Sequence, residues 1–339
     1  MNLNHLAIFD AVAREGNVTR AGERLRISQP AVSKQLQLLE RAVGAPLVDR
    51  LPKGVRLTAA GELLAGYARR LFALADQADR AVAELQGLKR GSLTIGASTS
   101  IGVYFLPEIL ARFRRRYPQV DLHMEVSNTH VIQQYLTEHR VDVAVTEGFV
   151  HWPELEARVF LVDELVPIVP AGHPFASARP ITLRQFCTEP LLMREQGSGT
   201  REVIEEALGR KGVVVRPMMN LGSTEAIKRS VAAGVGVAFV SALTIQQELH
   251  DRRLVGLRLR DCRMRRSLHL VQARDRSVSK AVGAFLVLLE AAVKRRSGSD
   301  ADMLVVDLAG GRVHGNQVER IGRSDARHLR GARGARPAR

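Results

Sequence analysis

Residues 26–40 read RISQPAVSKQLQLLE. Val32, Leu36 and Leu39 stand at i, i+4 and i+7 and predict one apolar stripe of a helix. Ser28 is the expected N-cap, and Pro30 is tolerated in a first turn whose N–H groups have no helical partner. Gln29, Pro30, Ser33, Lys34 and Gln37 fan over the opposite side, which is polar and mostly uncharged. A merely solvated face is more often rich in Glu and Lys. Glutamine and serine donate and accept toward base edges, and lysine suits phosphate, so this face is predicted to read DNA.

The flanking sequence supplies the setting. Leu6, Phe9 and Ala13 mark a first helix over 4–15, stopped by Gly16. A second runs from Thr19, the expected N-cap and a further DNA-contact candidate, to Leu25, and Arg26-Ile27 leaves room only for a tight turn before the reading helix. After it, Leu47-Val48 and Val55-Arg56-Leu57 flank Pro52-Lys53-Gly54 as a small β-wing, with Arg50, Lys53 and Arg56 placed to hold phosphates. The alternative is a structural hairpin with incidental charges.

Thr58 is predicted to cap a long helix in which Leu64, Tyr67, Leu71, Leu74, Ala78, Ala81, Leu85 and Leu88 follow at alternating steps of three and four. That seam predicts pairing with a second copy, hence two reading helices and an inverted-repeat site in double-stranded DNA. The whole run 17–62, NVTRAGERLRISQPAVSKQLQLLERAVGAPLVDRLPKGVRLTAAGE, resembles the winged helix-turn-helix and linker helix of LysR-type transcriptional regulators. Gly22 departs from that pattern, where alanine is commoner.

Composition agrees with this direction. A chain of 339 residues exceeds what one core usually organises, so two or three domains are expected. The formal charge of +15 favours polyanionic partners. Cys187 and Cys262 are far apart, so neither a disulfide framework nor a zinc site is indicated. No apolar run approaches the ~20 residues needed to span a bilayer, and the amino terminus carries no export signal, so a cytoplasmic protein without membrane contact is expected.

From residue 91 the pattern becomes SLTIGA, a helix over 101–116, VDLHMEV, a helix over 129–139 and VDVAVTE. A second series follows: PLLMRE, a helix from Thr200 to about Lys211, VVVRPMM at 213–219, a helix from Thr224 to Ala233, and GVGVAFV. Strand and helix alternation implies parallel sheets, here in two lobes with a cleft. FLVDELVPIVP and SLHLVQAR look like the crossings between lobes, and a helix over 279–294 returns to the first. The expected organisation is therefore multi-domain: a winged helix-turn-helix domain (1–58), a linker and dimerisation helix (59–90), and an α/β two-lobed effector domain (91–295). Lobe I takes 91–162 and 268–295, and lobe II takes 163–267. The basic Arg/Gly/Ala-rich tail (296–339) has too few large apolar residues for a core and is expected to be disordered, apart from a short strand at MLVVDL.

Three polar clusters stand where open α/β sheets bind ligands: Ser98-Thr99-Ser100, Thr146-Glu147-Gly148, and Gln196 to Arg201 entering a helix through two glycines. Taken alone, each is as readily a cap or a turn. LysR-type proteins bind a small co-inducer between two periplasmic-binding-protein-like subdomains with such loops. The resemblance implies that Ser100, Thr146, Ser198 and Thr200 contact the effector, with Ser98, Thr99 and Arg201 beside them. Glu147 is an awkward neighbour for an anion. The stretch MREQGSGTRE is similar to the branch containing regulators of sulfur and cysteine metabolism and of carbon fixation, which narrows the effector to small anionic metabolites. Enzyme readings find no support: GVGVAF has Phe239 where a dinucleotide fingerprint needs glycine, QGSGT is no nucleophile elbow, and the histidines show no metal spacing. The expected protein is a homodimeric or homotetrameric DNA-binding regulator, without cofactor or metal, with RNA polymerase among its candidate partners. The alternative is a cytoplasmic metabolite-binding module or enzyme with incidental DNA affinity.

Overall fold

The structure, a computed structural model, describes residues 1–84, 91–177 and 181–297. Leu85 and Leu88 of the expected seam, and the tail from residue 298 onward, lie outside the described residues.

Three helices open the chain: α1 (Leu3–Glu15), α2 (Val18–Leu25) and α3 (Gln29–Val43). Asn17, not Thr19, caps α2. Its Oδ1 accepts from the N–H of Thr19 at 2.9 Å and of Arg20 at 3.2 Å, satisfying two orphan donors of a helix that starts at Val18. Ser28 occupies the cap of α3 with extended backbone, yet its hydroxyl makes no capping bond. The second helical residue is Pro30, which removes one of the two N–H groups such a hydroxyl would serve. The turn between α2 and α3 closes over Gly22: the Ile27 N–H donates to the Gly22 carbonyl at 3.0 Å, and a Cβ on Gly22 would lie 2.8 Å from the Ile27 oxygen.

The wing is β1 (Val48–Leu51) antiparallel to β2 (Gly54–Leu57), with Leu51 opposite Gly54 and Pro52-Lys53 as a two-residue loop. Gly54, at φ +101°, lies so near α1 that a Cβ would meet the Gly16 oxygen at 2.4 Å, and the neighbouring Val55 N–H donates to that oxygen at 2.9 Å. The wing is thereby fixed against the end of α1.

Thr58 caps α4 (Ala59–Glu84) as expected, its hydroxyl accepting from the Gly61 N–H at 3.0 Å. The helix is about 39 Å long at 1.5 Å per residue. Ala65 and Ala68 are buried against Leu6, Phe9, Leu36, Leu39 and Leu47, with Leu64 packed on the same cluster. Leu64 therefore belongs to the inner face and not to the exposed seam. Leu63 takes its place: the outward apolar stripe is Leu63, Tyr67, Leu71 and Leu74, of which Leu63, Tyr67 and Leu74 are more than 60% exposed.

Lobe I opens with β3 (Gly91–Ser98), α5 (Thr99–Tyr104), α6 (Pro107–Arg116), β4 (Val120–Ser127), α7 (Thr129–Thr137) and β5 (Val143–Glu147). The single helix expected over 101–116 is two, because Pro107 has no N–H to continue α5 and starts α6 instead. β6 (Leu155–Pro170) carries the chain into lobe II. There follow α8 (Pro174–Ser177), α9 (Leu183–Phe186), β7 (Leu191–Arg194), α10 (Gly199–Arg210), β8 (Met219–Leu221), α11 (Thr224–Ala232), β9 (Val237–Ser241), α12 (Gln246–His250) and β10 (Leu254–Gly256). The strand expected over 213–219 is confined to β8, since the backbone of 213–217 joins no sheet. β11 (Met264–Ala273) and α13 (Lys280–Ser297) return to lobe I.

The sheet order is β4-β3-β5-β11-β6-β9-β7-β8, with β10 on β6. Pairing is parallel for β3 with β4 and β5 and for β7 with β8 and β9. β6 and β11 run antiparallel between the two groups, and Val162 and Asp163 face Ser267 and Arg266 across them. Lobe I packs Phe105, Phe113, Phe160 and Phe285 in one core, and lobe II packs Phe186 edge-on to Phe239 in another. Among the described residues no helix is long and apolar enough to cross a membrane, and no group of side chains is arranged to hold a metal ion.

Candidate functional site: a reading head and an interlobe cleft

At the reading head Thr19, Ser28, Gln29, Pro30, Lys34, Gln37, Arg50, Lys53 and Arg56 are exposed, and Ser33 is half-buried. Val32, Leu36 and Leu39 are buried beneath them. Gln29 Nε2 donates to the Ser33 hydroxyl at 3.1 Å, so the two candidate base readers on successive turns already orient one another. Arg56 reaches Asp49 on the paired strand at 3.3 Å, a screened contact between exposed groups.

The cleft places the ends of β3, β5 and β7 together. Buried among them is the Glu147 carboxylate, bonded to the Ser98 hydroxyl and accepting from Thr200 Oγ1 at 3.4 Å. Arg266, wholly buried on β11, donates through one terminal nitrogen to Thr200 Oγ1 at 2.7 Å, with Glu147 at 3.4 Å, and through Nε to Asp163 at 2.7 Å. Its other terminal nitrogen has no hydrogen-bond partner among the described residues. Burial pushes the Asp163 carboxyl above its ordinary value, opposed by the Arg266 charge and a bond from Ser241. The meeting point of Ser98, Thr200 and the start of α10 is thus filled by the protein's own carboxylate.

A second layer lies at the end of β7. The Arg194 guanidinium, 2% exposed, donates to Thr224 Oγ1 at 3.1 Å in lobe II and to Thr99 Oγ1 at 3.4 Å in lobe I. Tyr104 of lobe I bonds Glu225 of lobe II, and the buried Lys228 ammonium pairs with Glu225 at 2.6 Å and Glu248 at 2.7 Å. Elsewhere the lobes are joined by the His130 N–H to the Gly197 oxygen at 3.0 Å and the Gly199 N–H to Thr129 Oγ1 at 3.3 Å. Closure needs glycine here: a Cβ on Gly199 would lie 2.2 Å from the Glu147 carbonyl oxygen.

Of the seven effector candidates, Ser98 and Thr200 meet at Glu147 and Thr99 meets Arg194, while Ser100 and Ser198 are buried at the starts of α5 and α10. Thr146 and Arg201 are not brought to these bonds. Thr146 pairs across the strands with His269, and strand alternation puts it on the opposite face from Glu147; its hydroxyl has no partner among the described residues. Arg201 is engaged by Glu205, Asn220 and the Arg194 carbonyl oxygen. Burial holds His269 down at about 4. Sequence reading missed Asp163, Arg194, Thr224, Lys228 and Arg266. The available signal was charge inside an apolar strand, as with Asp163 and Glu164 in FLVDELVPIVP, of which alternation turns only one inward.

Comparison with known proteins agrees with both parts. Residues 3–62 match the model of the bacterial regulatory helix-turn-helix protein, lysR family, and residues 86–294 match the LysR substrate binding domain. The chain is 38% identical over 294 residues to a RuBisCO operon transcriptional regulator of Allochromatium vinosum, covering 86% of this chain and 97% of that one. The regulatory domain of Synechocystis PCC6803 CcmR, solved in complex with 2-PG, is 29% identical with a TM-score of 0.57, covering 60% of this chain and 98% of that one. Full-length OxyR from Pseudomonas aeruginosa, 22% identical, shares the fold with a TM-score of 0.65 over 87% of this chain and 95% of its own. A reading head with a half-polar recognition helix, joined to a two-lobed α/β domain matched over nearly its whole length, makes the chain a member of the LysR family of transcriptional regulators.

Proposed function

We propose that this regulator reads an inverted-repeat operator as a homodimer or homotetramer and that a small anionic metabolite, bound between its lobes, alters how it holds the DNA. The observation that carries the reading is the set of hydroxyl, guanidinium and carboxylate groups at the strand ends, contributed by both lobes and bonded across the cleft. The 2-PG complex of the CcmR domain supports the same class of ligand. The exposed stripe of α4 supports pairing of two chains, which would set two copies of α3 on one DNA face.

The mechanism is a population shift. A ligand that touches both lobes favours one degree of closure, changes the packing of effector domains, and so changes the spacing of the reading helices and the bend of the DNA. The protein would act in the cytoplasm, with RNA polymerase the further partner of its DNA complex. Gel-shift assays on operator DNA with 2-PG and a set of small carboxylates test this. A ligand-dependent change in mobility or affinity is expected, and a complex indifferent to every anion the protein binds contradicts it.

A further inference from the structure

We propose that the Arg194 guanidinium is the seat of the effector's anionic group and that Glu195 is the internal carboxylate which that anion replaces. The inference rests on the reading that a small anion binds between the lobes, and it says where.

Arg194 is the last residue of β7, at the carboxyl end of a strand, and its side chain is 2% exposed. Its five donors are arranged as a fork. One arm meets Thr224 at the start of α11, and another reaches Thr99 at the start of α5 in the opposite lobe. The open edge of the fork holds Glu195 bidentately, Nε to Oε2 at 2.7 Å and a terminal nitrogen to Oε1 at 2.8 Å. That is the geometry in which a guanidinium takes any carboxylate or phosphoryl group.

The two halves of the pair differ in their freedom. Arg194 is fixed by both lobes, whereas the Glu195 side chain is 28% exposed at the strand end and its bonds go to Arg194. Glu195 can rotate into solvent without breaking another contact. A buried guanidinium left unpaired is strongly disfavoured, so Glu195 leaves only when another anion takes its place. The exchange rejects neutral ligands. It also leaves the Thr99 and Thr224 bonds standing, so the incoming anion joins a cation already tied to both lobes.

The other cleft cations offer no such seat. Arg266 borders a different cavity, beside Gly148, Phe149 and His269, and is already held by two carboxylates, Asp163 and Glu147, each 2% exposed and so not free to swing aside as Glu195 is. Lys228 is taken by Glu225, Glu248 and the Thr244 carbonyl oxygen. Arg201 is bonded within lobe II.

The test is titration calorimetry on the full-length protein with 2-PG, inorganic phosphate and acetate, the last two separating a phosphoryl from a carboxylate group as the one seated. Glu195→Gln removes the competing charge and keeps the shape, and is expected to tighten anion binding roughly tenfold, the scale of one charge-assisted bond. Arg194→Gln is expected to weaken it by at least as much, with Arg194→Lys in between because it restores the charge without the fork. Thermal melts establish that each variant is folded, and Glu195→Gln, altering a part-exposed side chain, carries the test if Arg194→Gln does not fold. Unchanged affinity in Glu195→Gln overturns the seat while leaving binding between the lobes intact. A wild-type protein that binds none of the three anions overturns the seat and the anionic-effector reading together.

Discussion

Arg266 and Asp163 face each other where the two crossing strands pass between the lobes, register partners joined at 2.7 Å with both side chains buried. Around them Glu147 of lobe I and Thr200 of lobe II complete one network, so the hinge and the floor of the cleft are a single electrostatic unit. Arg266→Met leaves two buried carboxylates without their cation. Breaking a buried pair in this way costs about 3–5 kcal/mol, which in a domain of this size lowers the melting temperature by on the order of 10 °C. Differential scanning calorimetry checks it, and an unshifted melt would remove the network from the account of stability.

His269 gives the effector domain a defined acid sensitivity. Burial holds its folded-state value at about 4 against the ordinary 6.5, so the neutral ring favours folding. That contribution is whole above pH 6.5 and is lost as pH falls toward 4, up to roughly 3 kcal/mol. Denaturant titrations between pH 7 and pH 4 should show a steeper loss in the wild type than in His269→Gln, with the difference confined to that window. Parallel curves would mean that His269 is not held neutral by burial.

Closure of the lobes depends on Gly199, whose α-carbon lies against the Glu147 carbonyl. Gly199→Val is expected to hold the lobes apart and to weaken effector binding at least tenfold while leaving operator binding in the absence of effector nearly unchanged. Small-angle scattering of the protein, with calorimetry alongside, reads both. A variant that binds effector as the wild type does would show that closure is dispensable.

The outward stripe on α4 predicts its own disruption. Leu74→Glu puts a charge on an apolar seam and should shift the sedimentation profile toward monomer, with operator affinity falling because two half-sites are no longer engaged together. A variant that sediments as the wild type does would place the pairing surface elsewhere.

At the reading head, Gln29→Ala or Ser33→Ala should cost about 1–3 kcal/mol on operator DNA and little on random DNA, whereas Lys53→Ala should weaken both alike and flatten the salt dependence. Fluorescence anisotropy at several salt concentrations separates these. Equal losses on both DNAs for Gln29→Ala would remove it from base reading.

The head was legible in the sequence because local rules decide it. The periodicity of Val32, Leu36 and Leu39, the glycine stop at Gly16 and the turn at Pro52-Lys53 each act within a few residues, and the misplacement of the α2 cap at Thr19 came from passing over Asn17 two positions earlier. The cleft was legible only as a list of loops. Which of its polar groups meet depends on strand register, and register joined Asp163 to Arg266 across 103 positions of sequence. Leu64 and Leu63 show the same limit: adjacent in sequence, they are divided between core and surface by packing that no seam pattern reveals.

The central claim, that an anion bound between the lobes changes how the regulator holds DNA, is tested most directly by footprinting the full-length protein on its operator with and without a ligand whose binding calorimetry has measured. A footprint that shortens, lengthens or loses its bend-induced cleavage when the ligand saturates the protein is the predicted result. An identical footprint at saturation would contradict the claim.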